Sequence, residues 1–172
     1  MSDINKVLVR NAREQDILAV AELNAEACAP NGTTAETSQT FQLRLTAFQN
    51  GFIILVAENE IAAYGCSEKW LAEREPGLAE NPAPTHNLEG KIFCITGMAV
   101  KTKYQKRGYG LLILDKLIEI AHLEGCKKIV LETSHAQGFY QKRGFKKVGT
   151  RTEREVALDS MALELQPIRG IQ

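Results

Sequence analysis

Apolar positions along the chain recur at two spacings, and the switches between them mark out strands and helices. Lys6–Arg10 (Lys-Val-Leu-Val-Arg) is a short β-branched run and predicts a first or edge strand. Asn11 with Glu14 three residues on has the form of a capping box. Ile17, Val20, Ala21, Asn24, Ala27 and Cys28 follow at helical spacing, so a helix is expected to about Ala29, ended by Pro30-Asn31-Gly32. A second helix is expected from about Ser38 to Gln49, with Phe41, Leu45 and Phe48 on one face and Gly51 as its stop. Phe52–Glu58 and Ile61–Glu68 are apolar strands joined by a tight turn at Asn59-Glu60. Residues 72–90 contain Pro76, Pro82, Pro84, Gly77 and Gly90 and predict a long loop, a class that is often functional in compact domains.

The second half alternates strand and helix. Ile92–Val100 is a strand, Lys103–Tyr109 a basic turn, and Leu111–Leu123 a helix with Leu111, Leu114, Leu117, Ile118 and Ala121 inward and Gly125 after its end. Lys128–Thr133 is a strand, Ala136–Arg143 a short helix stopped by Gly144, and Phe145–Thr150 and Met161–Leu165 two final strands. The order βααβββαβαββ gives about seven strands and about four helices. Strand–helix alternation implies parallel pairing in the second half and the hairpin implies antiparallel pairing, so the sheet is mixed and the class α/β of the mixed α+β kind. A length of 172 residues is that of one domain, 1–172, with a substantial core.

Charge changes the picture more than composition does. A hydrophobic fraction of 44% excludes a disordered chain. Lys plus Arg and Asp plus Glu are both 21, a net of zero that argues against a large nucleic-acid footprint. The distribution is uneven: residues 1–100 carry 7 basic and 13 acidic side chains, residues 101–151 carry 12 and 4, and residues 152–172 carry 2 and 4. A segment of net +8 inside a neutral protein points to an anionic ligand of limited size. No stretch reaches the roughly 18 apolar residues of a membrane span, and Met1–Arg10 lacks the apolar centre of a signal peptide. Cys28, Cys66, Cys94 and Cys126 are far apart and read as reduced thiols of a cytoplasmic protein. His86, His122 and His135 are scattered, so no metal site is expected.

The most informative segment is Val100-Lys101-Thr102-Lys103-Tyr104-Gln105-Lys106-Arg107-Gly108-Tyr109-Gly110, where a strand ends, a basic glycine turn follows and an apolar helix begins. The first N–H groups of a helix are unsatisfied and face whatever lies ahead of them. Gly108 and Gly110 let phosphates approach the backbone, and Lys101, Lys103, Lys106 and Arg107 add positive charge, so the segment reads as a pyrophosphate cradle. It is not a P-loop, since no Gly-Lys-Ser/Thr follows, and not a dinucleotide fingerprint, since Ile113 holds the third glycine position. After the next strand comes Ala136-Gln137-Gly138-Phe139-Tyr140-Gln141-Lys142-Arg143-Gly144-Phe145.

Together these two segments resemble the GNAT acetyltransferase superfamily, which uses acetyl-CoA. Its Gln/Arg-x-x-Gly-x-Gly/Ala pattern stands here as Gln105 to Gly110, and its downstream pattern as Ala136, Phe139-Tyr140, Lys142, Gly144 and Phe145. Val9-Arg10-Asn11-Ala12 with Asp16, and Asp159 to Leu165, resemble the family's opening and closing elements. The resemblance implies a mostly antiparallel sheet splayed between the fourth and fifth strands, with the pantetheine arm entering the splay. Backbone groups of Met98, Ala99 and Val100 would line that arm, with Met98 and Val100 pairing with it. The N–H groups of Arg107, Gly108, Tyr109, Gly110 and Leu111 would hold the pyrophosphate, and Lys142 or Arg143 would reach the 3′-phosphate. Thr133 stands where many members carry Asn. The chemistry implied is direct acetyl transfer to a primary amine of a small molecule or peptide, with the Met98 N–H at the oxyanion and Tyr140 as general acid. For the general base, Glu132, Glu68, Glu26 and Glu36 are candidates, as are a water chain to a peripheral acid and His135. The acidic first half fits a cationic acceptor or a solvated surface. The resemblance also admits a homodimer. Two alternatives stay open: a non-catalytic acyl-CoA-binding sensor, and an RNA- or aminoacyl-tRNA-directed module motivated by the +8 segment.

Overall fold

The computed structural model describes residues 6–77 and 80–167. Residues 1–5 of the N-terminal reading and residues 78 and 79 of the 72–90 loop lie outside the described residues. Seven strands form a single sheet: β1 (Leu8–Asn11), β2 (Ile53–Ala57), β3 (Glu60–Trp70), β4 (Ile92–Val100), β5 (Lys128–Thr133), β6 (Lys146–Glu153) and β7 (Val156–Glu164). They lie in the order β1-β2-β3-β4-β5-β7-β6. Every pairing is antiparallel except β4 with β5. Five helices accompany the sheet: α1 (Ile17–Cys28), α2 (Ser38–Ala47), α3 (Pro82–Thr85), α4 (Tyr109–Leu123) and α5 (Gln137–Gln141). The fifth, α3, is the helix that the sequence reading leaves inside the long loop; Asn81 caps it, its side chain accepting from the Ala83 N–H at 3.0 Å.

Strand β2 shows how the two layers are made. Ile53, Leu55 and Ala57 point to one face, where they meet Ile113, Leu114 and Leu117 of α4. Ile54 points to the other, where it joins Val20 and Leu23 of α1 and Phe41 and Leu45 of α2. Burial on both faces explains why β2 is a continuous apolar run without alternation.

Three local readings are corrected. The capping box lies at Arg13 and Asp16: the Asp16 carboxylate accepts from the Arg13 N–H at 2.8 Å and takes both arms of Arg10 at 2.8 and 3.0 Å. Asn11 ends β1 and donates to the carbonyl of Gln49 at 3.0 Å, fastening the strand to the turn after α2. The β2–β3 turn is Glu58-Asn59, one residue earlier than expected, with φ of 51° and 64°. Two consecutive positive φ values give the turn twist that suits a two-residue hairpin, and Asn tolerates that region better than most residues. Helix α2 ends at Ala47, ahead of Gly51, because Phe48 turns in against Phe93 and His86.

A register shift on β4 shapes the site. Cys66 pairs with Gly97 but Ser67 pairs with Ile95, leaving Thr96 as an extra residue on β4. Beside it, β4 pairs with β5 only from Ile92 to Cys94, after which the strands part. The splay between the fourth and fifth strands is therefore present. Among the described residues no helix is long and apolar enough to cross a membrane.

Leu117 is fully buried between α4 and the sheet. Leu117→Ala is expected to lower unfolding free energy by about 2–5 kcal/mol, read as a fall in urea midpoint at unchanged slope.

Candidate active site

The opened edge of β4 presents backbone groups with no strand beside them. The Lys101 N–H donates to the Ala62 carbonyl at 2.8 Å, and Ala62 lies directly opposite Lys101 in the β3–β4 register. Antiparallel ladders alternate, so Ala99 bonds back to β3 while Met98 and Val100 turn their N–H and C=O groups away from it. That side is the gap where β5 has departed. A cavity of ≈ 240 Å³ occupies the gap, with Thr96, Gly97 and Met98 on one wall and Leu131, Glu132 and Thr133 on the other.

At the far end of β4 a 3-10 turn (Thr102–Tyr104) leads into α4. Gly108 precedes α4 at φ 82°, a backbone conformation that strains any residue with a Cβ, while the space around it is open. No side chain caps this end, so the first N–H groups of α4 face outward and fit an anionic group. Gly110 also has a packing role: a Cβ there would meet the Phe139 ring at 3.3 Å and Val100 at 3.5 Å, so its smallness lets α4, α5 and β4 close together.

The basic side chains of the turn are mostly occupied. Lys101 and Lys103 pair with Glu60 and Arg107 pairs with Glu58. The Tyr104 hydroxyl donates to Glu60 at 2.6 Å and to Glu58 at 3.1 Å, and Arg107 lies over the Tyr104 ring at 5.2 Å. Ion pairing with Lys103 and the Tyr104 hydrogen bond hold the Glu60 carboxyl down to about 2. Glu26 of α1 accepts from the Thr102 N–H at 3.0 Å, which places that base candidate at the turn. Arg143 is likewise bound, by Asp115 of α4 at 2.7 and 3.1 Å, whereas Lys106 and Lys142 have no carboxylate partner among the described residues.

Tyr140 of α5 is buried, packed edge-on against Phe139 and Phe145, and its hydroxyl faces Met98 across the gap, 3.9 Å from the sulfur. Burial pushes its phenol up to about 12. Thr133 starts the turn into α5, its hydroxyl oxygen accepting from the Ala136 N–H at 3.0 Å, which leaves its proton to donate. His135 is exposed beside Ser134. The structure thus gathers Met98, Thr133, Tyr140 and Glu132 around one cavity, with Ala136 beside them, while Gln105 to Leu111 form the turn and the first residues of α4 that follow β4.

The inner end opens into a second cavity of ≈ 140 Å³ that shares Ile95, Thr96, Glu36 and Glu132 with the first. Here the remaining acid candidates are found, and all are paired. Buried Arg44 of α2 donates to Glu36 at 3.1 and 2.6 Å and to Glu68 at 3.2 Å. Burial opposes the Arg44 charge, and the adjoining carboxylates outweigh it, raising its pKa above the usual guanidinium value. Glu68 also accepts from the Trp70 indole at 2.6 Å and the Thr85 hydroxyl at 2.8 Å. Arg151 of β6 grips both oxygens of Glu132 at 2.7 Å, pairs with Glu153, and donates to the Pro76 carbonyl of the long loop at 2.6 Å.

Arg44, Arg151 and Asn24 are absent from the sequence-based site. Asn24 donates to the Tyr64 hydroxyl at 2.8 Å and accepts from the Glu36 N–H at 2.9 Å. Its signal was a polar residue inside the apolar stripe of α1. Nothing local marked the two arginines, whose contacts with Glu68 and Glu132 reach to other elements.

A family model described as the acetyltransferase (GNAT) family matches residues 17–145. Among curated proteins, the chain is similar to a probable glucosamine 6-phosphate N-acetyltransferase 2 of Oryza sativa subsp. japonica, 29% identical over 142 residues, which is 77% of this chain and 76% of that one. Two solved structures share the fold at low identity. A GNAT-like decarboxylase in complex with isobutyryl-CoA matches with a TM-score of 0.78 and 17% identity over 92% of this chain and 100% of that one. A putative acetyltransferase from Salmonella typhimurium with its cofactor acetyl-CoA matches with a TM-score of 0.70 and 16% identity over 96% and 98%.

Glu68→Ala would leave Arg44 half-partnered and the Trp70 indole unpaired. It is expected to cost about 3–5 kcal/mol of stability and to change Trp70 emission, both measurable in one fluorescence-detected urea titration. Glu68→Gln, which keeps an acceptor, should lose less.

Proposed function

The chain belongs to the GNAT acetyltransferase family, and from that premise we propose that it moves the acetyl group of acetyl-CoA directly to a primary amine of a small molecule or peptide. The observation that carries this reading is the opened β4 edge, with Met98 and Val100 facing Tyr140 across a cavity. The residues present fit the co-substrate. An uncapped helix N-terminus behind a positive-φ glycine suits a pyrophosphate at 107–111, and a strand with one vacant side suits an extended arm added as a neighbouring strand. Lys142, unlike the Asp115-bound Arg143, is left for the 3′-phosphate.

Acetyl-CoA supplies an activated thioester carbonyl. The Met98 N–H donates to the oxygen on which negative charge grows, a contact worth about 3–4 kcal/mol in comparable sites. The Tyr140 hydroxyl keeps its proton throughout the physiological range, because burial holds its pKa up at about 12. A phenol that weak is a poorer acid than a thiol near pKa 8.5, by roughly 3 units. Tyr140 therefore donates a hydrogen bond to the departing sulfur and passes its proton only as its own oxygen is reprotonated. Glu132 retains lone pairs beyond the two on Arg151 and takes the amine proton directly or through water. Cysteines that form no disulfide fit a cytoplasmic setting.

Calorimetric titration should show acetyl-CoA binding to the wild-type chain, and an amine panel should release free CoA. Binding without release would favour a non-catalytic sensor, and no heat at millimolar acetyl-CoA would sink the reading. Tyr140→Phe should keep acetyl-CoA affinity and lose roughly 10²–10⁴-fold in kcat; unchanged kcat removes Tyr140 from this role.

A further inference from the structure

The inner cavity has an unusual charge content for a site between two arginines. Five carboxylates line it: Glu36, Glu68, Glu80, Glu132 and Glu153. Against them stand Arg44 and Arg151, with Arg74 reaching Glu80 from outside at 2.9 Å. Both lining guanidiniums are committed to carboxylates already, Arg44 to Glu36 and Glu68, and Arg151 to Glu132, Glu153 and the Pro76 carbonyl. An acceptor bearing phosphate or carboxylate would bring like charge to a wall whose cations are taken, an arrangement that selects against it. The carboxylates are paired too, but they outnumber the guanidiniums, so a second cationic group on the acceptor meets net negative charge instead.

Size narrows the class. A cavity of ≈ 140 Å³ is about what encloses a single six-membered ring in a protein interior. The long loop roofs it through Pro76 and Gly77, and Arg151 ties that roof to β6 at 2.6 Å. A short aliphatic chain with a terminal group matches that volume.

Resting on the acetyltransferase reading above, we propose that the acceptor of this cleft is a compact amine carrying a second positive charge and no anionic group, of which a short aliphatic diamine is the simplest form. One nitrogen, neutral, reaches the Met98 end; the other stays protonated among the carboxylates. The curated relative's name specifies a phosphorylated amino sugar, and the committed arginines set this chain apart from that chemistry.

Trp70 is the chain's one tryptophan, lines this cavity and donates to Glu68, so its fluorescence reports occupancy without turnover. Four probes separate the possibilities: 1,4-diaminobutane, 1-aminobutane, 4-aminobutanoate and glucosamine 6-phosphate. The first three share a four-carbon backbone and differ in the charge at the far end. Trp70 titrations and CoA-release assays should both rank the diamine first, by about tenfold over 1-aminobutane, with the two anionic probes last. Glu80→Gln should narrow the diamine-to-monoamine ratio by about two- to fivefold. A flat ranking, or preference for either anionic probe, overturns the inference. Parallel acetyl-CoA calorimetry tells the failures apart: binding with the wrong ranking removes the diamine alone, and no binding removes the acetyltransferase reading with it.

Discussion

Beyond Cys94 the fourth strand has a partner on one side only, and the rest of the site follows from that. Sheet geometry gives each backbone amide a neighbour at about 4.8 Å, and an amide buried without one costs about 1–3 kcal/mol. The extra residue at Thr96 bends β4 away from β5 where Met98 and Val100 come round to face the gap. The resulting edge has the hydrogen-bonding pattern of a strand but no strand to receive it. An extended ligand bearing amides matches it in direction and spacing. Tyr140, Thr133 and Glu132 line the same gap from α5 and β5.

Charge is organised around this gap in two different ways. At the outer end, Lys101, Lys103 and Arg107 are steadied by Glu58 and Glu60 from the β2–β3 turn, so part of the chain's +8 segment is paired where it stands. The uncapped N-terminus of α4 adds backbone N–H groups there. That is a small, fixed feature, unlike the broad unpaired basic surface that a nucleic acid requires. At the inner end the roles reverse, and two arginines are spent holding carboxylates in place. Burying such clusters is costly unless every member is paired, and the bidentate contacts of Arg44 and Arg151 meet that condition.

Much of this was legible in the chain. The strand and helix order emerged from periodicity because β4, α4 and β5 have long, regular apolar patterns. The two family motifs were readable because each is made of neighbours in sequence: Gln105 to Gly110, and Ala136 to Phe145. The errors were also local. Asn11 and Glu14 had the right letters for a cap, but Asn11 was needed by the Gln49 carbonyl and Asp16 by Arg10. A short helix was missed inside the proline-rich loop because four residues are too few to show a period.

The sequence by itself determined the elements, their order and the two motifs, since hydrophobic periodicity and glycine turns are short-range properties of a chain. Tertiary structure alone decided which groups pair with the carboxylates, which basic side chains are left without a carboxylate, and what charge the inner cavity presents. Those depend on pairs such as Arg44 with Glu68 and Arg151 with Glu132, whose members are 24 and 19 residues apart and sit on different elements. An ion pair is set by distance in space, and no spacing along the chain encodes it until the sheet has formed.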